Sequence, residues 1–370
     1  MKQELARASD ATAARFIEID EDGYFKLDGL RVADQEMGRD WLSRIRMERG
    51  SARTLINGEI MIVEAFDDPY VALDIEKLFD GNWQVTMPYG HQEKFKIGSL
   101  VVDEWDRFHG FADRGEPSSE GAAAEPVPFV LSRQAQSRLF NIVDEFDDDS
   151  LTVDGARIEV RPWLSDQLQS QSDQYWSSAY ERGDTGWDLG APSPALPLLV
   201  PQLKLQRARI LVPGAGTGND AAWLAEQGHI VTALDFSPLA IAKAKEKYGH
   251  LSDLKFMQAD VFSLPETMNS AFDIVIEHTL YCAIPPSRRN DLVKVWRRVL
   301  IDRGHLLGIF FAAGSKRAPA GPPFGGSEWE LRARLGQSFH ALYWNRMRES
   351  RPDRLGREVF IYAQKTSKWD

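Results

Sequence analysis

At 370 residues the chain is longer than one hydrophobic core comfortably serves, which predicts two domains. Its 43% hydrophobic and 27% charged residues are those of an ordinary globular protein. The excess of 55 acidic over 44 basic side chains, a formal charge of −11, argues against nucleic acid or an anionic membrane as partner.

The single cysteine, Cys282, excludes an intrachain disulfide framework and a cysteine-rich metal site, and it fits a cytoplasmic location. Residues 1–16 carry Glu4 and Asp10 and no apolar stretch, so no signal peptide is expected there. The longest apolar run, 306–313, falls far short of the roughly 20 residues that a membrane span requires.

Residues 16–164 read as short alternating segments. Segments 16–20 and 24–27 flank Asp22-Gly23, segments 54–56 and 60–63 flank Asn57-Gly58, and segments 150–153 and 156–160 flank Asp154-Gly155. Such dipeptides tolerate positive φ and predict hairpins. Helical spacing predicts helices over 35–46 and over 132–145, the second with Leu139, Ile142, Val143 and Phe146 on one face. Residues 114–128, rich in Gly, Ala, Pro, Ser and Glu, lack large apolar side chains and predict a mobile loop. Trp105-Asp106-Arg107-Phe108-His109-Gly110 suits either a binding loop or a hairpin edge. The polar stretch 165–173 predicts a connection between domains.

From Ala208 onward the rhythm changes to strands alternating with helices. Strands are expected at 209–212, 229–234, 254–258, 272–276 and 305–311, and helices at 220–227, 237–248 and 287–300. Ser237 is the expected N-cap, with Pro238 at the first helical position. This alternation implies a parallel sheet covered on both faces. Two final strands, 339–347 and 358–364, are expected to pair antiparallel at its edge.

Val212-Pro213-Gly214-Ala215-Gly216-Thr217-Gly218 lies between the first parallel strand and its helix, where glycines permit a sharp turn and close ligand approach. Asp235 ends the second strand and suits ribose hydroxyls, Asp260 ends the third near an expected adenine, and Glu277-His278 ends the fourth. Polar groups at four successive strand ends fit the rule that ligands bind at that edge. A dinucleotide fingerprint would place glycine three residues beyond Gly216, and that residue is Asn219.

Residues 175–365 resemble the thiopurine S-methyltransferase superfamily, and within it the halide/thiol methyltransferase branch. Trp176-Ser-Ser-Ala-Tyr180-Glu-Arg-Gly-Asp-Thr-Gly-Trp187-Asp188, the glycine loop, Phe272-Asp273-Ile-Val-Ile-Glu277-His278-Thr279-Leu280-Tyr281-Cys282-Ala283-Ile284 and Gly321-Pro322-Pro323-Phe324 carry the likeness. The resemblance implies S-adenosylmethionine as cofactor. It places cofactor aromatics at Trp176, Tyr180 and Trp187, a glycine-loop contact at Gly214, the ribose acid at Asp235, and adenine-side contacts at Asp260 and Val261. Gly216, Glu277 and His278 complete the expected cofactor set. Tyr180 stands where relatives carry tryptophan, and His278 where they often carry arginine or tyrosine. Aromatic faces attract a sulfonium by about 0.5–2 kcal/mol.

The expected architecture is therefore α/β: a Rossmann-like class I methyltransferase sheet with an antiparallel C-terminal hairpin over 165–370, preceded by a small α+β domain over 1–164. The expected acceptor is a small molecule, a thiol or other soft nucleophile. An oxygen or nitrogen acceptor, or a cofactor-binding regulatory role, are the alternatives. His278 is the one candidate general base, with a cofactor or backbone contact as its competing role. Cys282 reads as core. Tyr281, Phe310, Phe311 and Phe324 are candidates for an acceptor wall, and Arg288 and Arg289 for guiding an anion or for a solvated helix face.

Overall fold

The computed structural model describes residues 15–48, 50–113, 125–147, 150–162, 172–312, 322–348, 350 and 354–367. The chain divides into two compact units, 1–163 and 164–370.

The first unit is a mixed α+β body. A six-stranded sheet runs Leu30–Arg31, Phe25–Leu27, Arg15–Ile19, Glu59–Ala65, Ser51–Ile56, Arg46–Glu48. All its pairs are antiparallel except Arg15–Ile19 with Glu59–Ala65. Asn57 and Gly58 (φ 51° and 82°) and Asp154 and Gly155 (φ 52° and 73°) make the two-residue hairpin turns that their identities predict. The Trp105-to-Gly110 motif belongs to a hairpin, whose turn is held by the Asp103 carboxylate accepting from the Trp105 and Arg107 N–H groups at 3.0 Å. One core built around Phe25, Trp41, Tyr70, Phe108, Phe129 and Leu139 serves the unit.

Three expectations are corrected. The first helix stops at Ser43, because Arg46–Glu48 leaves to pair with Ser51–Ile56. The second runs only from Arg133 to Ile142. Val143 is extended, Asp144 N–H donates to Thr152 C=O, and Phe146 lies half-exposed on a strand, so sheet pairing overrides helical spacing. Of the expected loop 114–128, residues 114–124 lie outside the described residues, while Val127 and Pro128 are buried in strand Val127–Leu131, paired with Phe108–Ala112.

The second unit is a seven-stranded, doubly wound sheet. Its strands are β1 (Arg209–Pro213), β2 (Ile230–Asp235), β3 (Leu254–Gln258), β4 (Phe272–His278), β5 (Leu300–Phe311), β6 (Phe339–Arg346) and β7 (Glu358–Lys365). The order is β3-β2-β1-β4-β5-β7-β6, parallel through β5, with β7 antiparallel to both β5 and β6. The helices are α1 (Asp173–Arg182), α2 (Ala195–Leu199), α3 (Asn219–Glu226), α4 (Pro238–Tyr248), α5 (Arg289–Val299) and α6 (Glu328–Leu335).

Parallel strands must be covered on both sides, and they are. Ala221, Leu224, Ile241 and Ala244 from α3 and α4 pack on one face; Leu292, Trp296, Leu331 and Leu335 from α5 and α6 pack on the other. Ser237 caps α4, accepting from Ala240 N–H at 3.2 Å. The chain reverses its direction of travel across the sheet between β1 and β4, which opens a crevice at the carboxyl ends of the strands. No helix among the described residues is long and apolar enough to cross a membrane.

Candidate active site

At that crevice lies a cleft of about 490 Å³. The glycine loop forms its floor. Gly214 and Gly216 adopt φ of 64° and 55°, and a Cβ on them would stand 3.0 Å from Leu280 and 2.9 Å from the Tyr180 hydroxyl. At Gly214, which lines the cleft, only glycine lets the backbone come so close.

Asp235, leaving β2, accepts the Gly216 N–H at 2.8 Å with one oxygen and the Ser237 N–H at 2.9 Å with the other. Burial pushes its carboxyl up, against these backbone donors. Asp260 leaves β3 and caps a short turn, accepting from Phe262 N–H at 2.9 Å.

The aromatic segment forms the roof. Trp176 stands edge-on to Trp187 (5.4 Å, 81°), and Trp187 edge-on to Tyr180 (5.8 Å, 87°), with Trp187 Nε1–H donating to the Tyr180 hydroxyl at 3.2 Å. Lys243 Nζ donates to Tyr180 C=O at 3.0 Å, and Ser177 meets Ser237 at 2.9 Å, so α1 is tied to α4 and its cap. The Asp188 carboxylate accepts from Thr217 Oγ1 at 2.6 Å and Asn219 Nδ2 at 2.8 Å, which ties the roof to the glycine loop. Asn219 Oδ1 in turn accepts from Lys247 and Tyr248, both at 2.8 Å. The position where a dinucleotide fold needs glycine is here a hydrogen-bonding hub.

Seven of the expected residues line this one cleft: Trp176, Tyr180, Trp187, Gly214, Asp235, Asp260 and Val261. Three do not. Gly216 sits behind the wall, under the Tyr180 hydroxyl. Glu277 is fully buried, accepting from Tyr281 N–H at 2.7 Å, and burial pushes its carboxyl up to about 7. His278 is buried against Asp220, with Nδ1 and Oδ2 2.6 Å apart. Burial pushes its imidazole down, but the Asp220 carboxylate, aided by Glu358 and Glu277, outweighs this and moves it up. Asp220 thus engages Nδ1, while the side chain does not line the cleft. No histidine lines the cleft among the described residues.

The remaining candidates separate cleanly. Cys282 lines the cleft, with its thiol pushed up to about 12 by burial and donating to Thr279 C=O at 3.2 Å. Phe311 also lines it. Tyr281 and Phe310 are core, packed together with Trp296, and Phe324 is buried with its N–H on Cys282 C=O at 2.7 Å. Gly321 lies outside the described residues.

The tandem arginines part company. Arg288 faces the cleft, its guanidinium 3.6 Å from the centre of the Phe262 ring. Arg289 is fully buried, donating to both Glu330 oxygens at 2.9 Å and to the Tyr281, Phe324 and Gly325 carbonyls.

Sequence reasoning missed Arg354 and Arg357, which join Arg288 along the same wall. Arg354 pairs with Glu358 at 3.4 Å and reaches Trp187 C=O at 3.5 Å, and Arg357 lies over the Phe311 ring at 4.6 Å. Their one sequence signal is two basic residues three apart in the connection between β6 and β7.

A doubly wound sheet with a glycine loop, a strand-end carboxylate and an aromatic roof over one cleft defines a nucleotide-type cofactor site of the Rossmann-like methyltransferase class. Residues 171–358 match the thiopurine S-methyltransferase family. The chain is 31% identical to Probable thiol methyltransferase 2 of Arabidopsis thaliana over 160 residues, spanning 42% of this chain and 69% of that protein. It is 32% identical to thiocyanate methyltransferase 1 of Brassica oleracea over 169 residues, spanning 45% of this chain and 72% of that protein. It is 29% identical to the thiopurine S-methyltransferase of Xanthomonas campestris pv. campestris (strain 8004) over 182 residues, spanning 45% of this chain and 82% of that protein. The chain belongs to the thiopurine S-methyltransferase family, through its second unit, and is an S-adenosylmethionine-dependent methyltransferase.

Proposed function

We propose that this enzyme methylates a small, soft, anionic nucleophile, a thiolate or its like, with Trp176, Tyr180, Trp187, Gly214, Asp235, Asp260 and Val261 holding the cofactor. One observation carries the reading: a single cleft is lined by tryptophan rings, an open glycine backbone and a strand-end carboxylate together with Arg288, Arg354 and Arg357. The likeness to thiol and thiocyanate methyltransferases supports it.

Bound S-adenosylmethionine supplies a sulfonium methyl group open to in-line displacement. The chain's own part is to bind, orient and exclude water. Asp235 offers a carboxylate whose backbone donors fix its direction. The Trp176 and Trp187 indoles offer ring faces suited to a cation. The Arg288 and Arg357 guanidinium groups, with Arg354 shared with Glu358, favour the charged form of an arriving thiol, since neighbouring positive charge lowers an acid's pKa. This replaces the work of a general base, and His278 holds Asp220 instead.

An oxygen or nitrogen acceptor would need a base in the cleft, which His278 does not supply. The acidic balance of the chain goes with a small acceptor rather than nucleic acid, and its one cysteine with the cytoplasm.

The test is incubation of the full chain with methyl-labelled S-adenosylmethionine and a panel of thiols, thiocyanate, halides, phenols and amines. Methylated thiols or thiocyanate are expected. Product from phenols or amines alone would overturn the acceptor reading, and no product from any nucleophile would overturn the cofactor-and-acceptor cleft.

A further inference from the structure

The turn that follows β4 carries a conformation that its residues resist. Thr279 has φ of 66°, a left-handed backbone that a β-branched residue avoids, at a cost of about 1–3 kcal/mol. Such a residue persists only where its surroundings over-determine it. Three contacts do so here. Glu277 accepts the Tyr281 N–H at 2.7 Å, Cys282 Sγ donates to Thr279 C=O at 3.2 Å, and Cys282 C=O accepts from Phe324 N–H at 2.7 Å. The turn is functional ground. Thr279, Leu280, Cys282, Ala283 and Ile284 all line the cleft, and Leu280 is the side chain that would meet a Cβ on Gly214.

Glu277 reaches this turn from a position that is costly in itself. It is fully buried, and its second oxygen, Oε2, has no hydrogen-bond partner among the described residues. A leucine would fill the space without that penalty.

We propose that Glu277 is a positioning residue: its carboxylate holds Thr279 in the left-handed conformation, which presses Leu280 against the glycine loop and sets the cleft wall from 279 to 284. The inference rests on the cofactor reading of the cleft. His278 and Arg289 are the cations that favour the charged carboxyl, and the Cys282 thiol is the neighbouring acid.

The experiment is a double-mutant cycle in the full chain, with Glu277→Leu, Thr279→Gly and both together. It is read by calorimetric binding of S-adenosylhomocysteine and by amide hydrogen exchange of residues 280–283. Glycine adopts the left-handed conformation without help, so it should substitute for the clamp. Glu277→Leu should weaken S-adenosylhomocysteine binding at least tenfold and speed exchange at Tyr281. The double variant should return to within about threefold of the parent.

Unchanged binding and exchange in Glu277→Leu, or a double variant no better than Glu277→Leu, would overturn the proposal. If the parent itself bound no S-adenosylhomocysteine, the cofactor reading would fall, and exchange at Tyr281 would still decide the clamp. Should Glu277→Leu fail to fold, Thr279→Gly alone decides: an unchanged or higher melting temperature with binding retained is expected, and a lower one overturns the idea.

Discussion

Arg288 and Arg289 are adjacent and chemically identical, yet the structure assigns them opposite consequences on replacement. Arg289→Met removes a guanidinium with no exposure, which donates to Glu330 and to three backbone carbonyls and lies 4.4 Å from the centre of the Tyr281 ring. Breaking a buried pair costs about 3–5 kcal/mol. Arg334 still pairs with Glu330 at 2.8 Å, which leaves the carboxylate one partner and places the loss near the lower end, about 3 kcal/mol.

Arg288→Met loses a stacked contact on Phe262, worth about 0.5–1 kcal/mol at a partly exposed site. Its main effect should be a higher KM for an anionic acceptor. The assay is urea unfolding of the full chain, with the transition of the second unit identified by its upward shift on adding S-adenosylhomocysteine, since a ligand stabilises what it binds. If Arg289→Met lay within 1 kcal/mol of the parent, or if Arg288→Met were the more damaging, the assignment of strut and cleft residue would be refuted.

Glu277 makes a pH prediction. Its carboxyl is pushed from an ordinary 4.5 up to about 7, so the folded chain holds this proton more tightly than the unfolded chain does. Its contribution to stability is then full below 4.5, is lost as pH rises through about 7, and levels off above at a total of about 3 kcal/mol. Glu277→Gln should flatten that slope in unfolding curves between pH 5 and 8, and an unaltered slope would contradict the assignment.

Cys282, with its thiol pushed up to about 12, should react with iodoacetamide roughly a thousandfold more slowly than an exposed thiol until the chain unfolds; rapid labelling of the folded enzyme would count against its burial. Tyr180→Phe removes the acceptor for Trp187 Nε1–H, a loss of about 0.5–1.5 kcal/mol, and should weaken S-adenosylhomocysteine binding by roughly threefold to tenfold. Titration calorimetry would show no change if Trp187 stands without that brace.

The sheet of the second unit was legible because buried parallel strands are short apolar runs, each followed by a polar group at the same edge. The glycine loop, Asp235 and Asp260 stood out for that reason. The aromatic roof was legible through resemblance rather than periodicity. The cleft's arginine wall was not: Arg354 and Arg357 precede β7, and only tertiary folding brings that segment beside Arg288. Nor could spacing tell which of two adjacent arginines turns inward, a choice made by the buried Glu330 of α6. Glu277 and His278 sit at a strand end that marked them as ligand contacts, yet their side chains serve the turn and α3. In the first unit, many strands of only two to four residues leave too little alternation to read, and helix 133–142 was overrun because its continuation pairs with a hairpin instead.

One feature of the sheet bears on how the protein is made. β7, which follows the other strands of this sheet in the chain, lies inside it between β5 and β6 rather than at its rim. On the ribosome, β5 and β6 must therefore wait with unpaired edges until residues 358–365 emerge, and the nascent unit stays open to mispairing until then. Completion of the cleft is correspondingly late, since Arg354 and Arg357 arrive with the same stretch of chain.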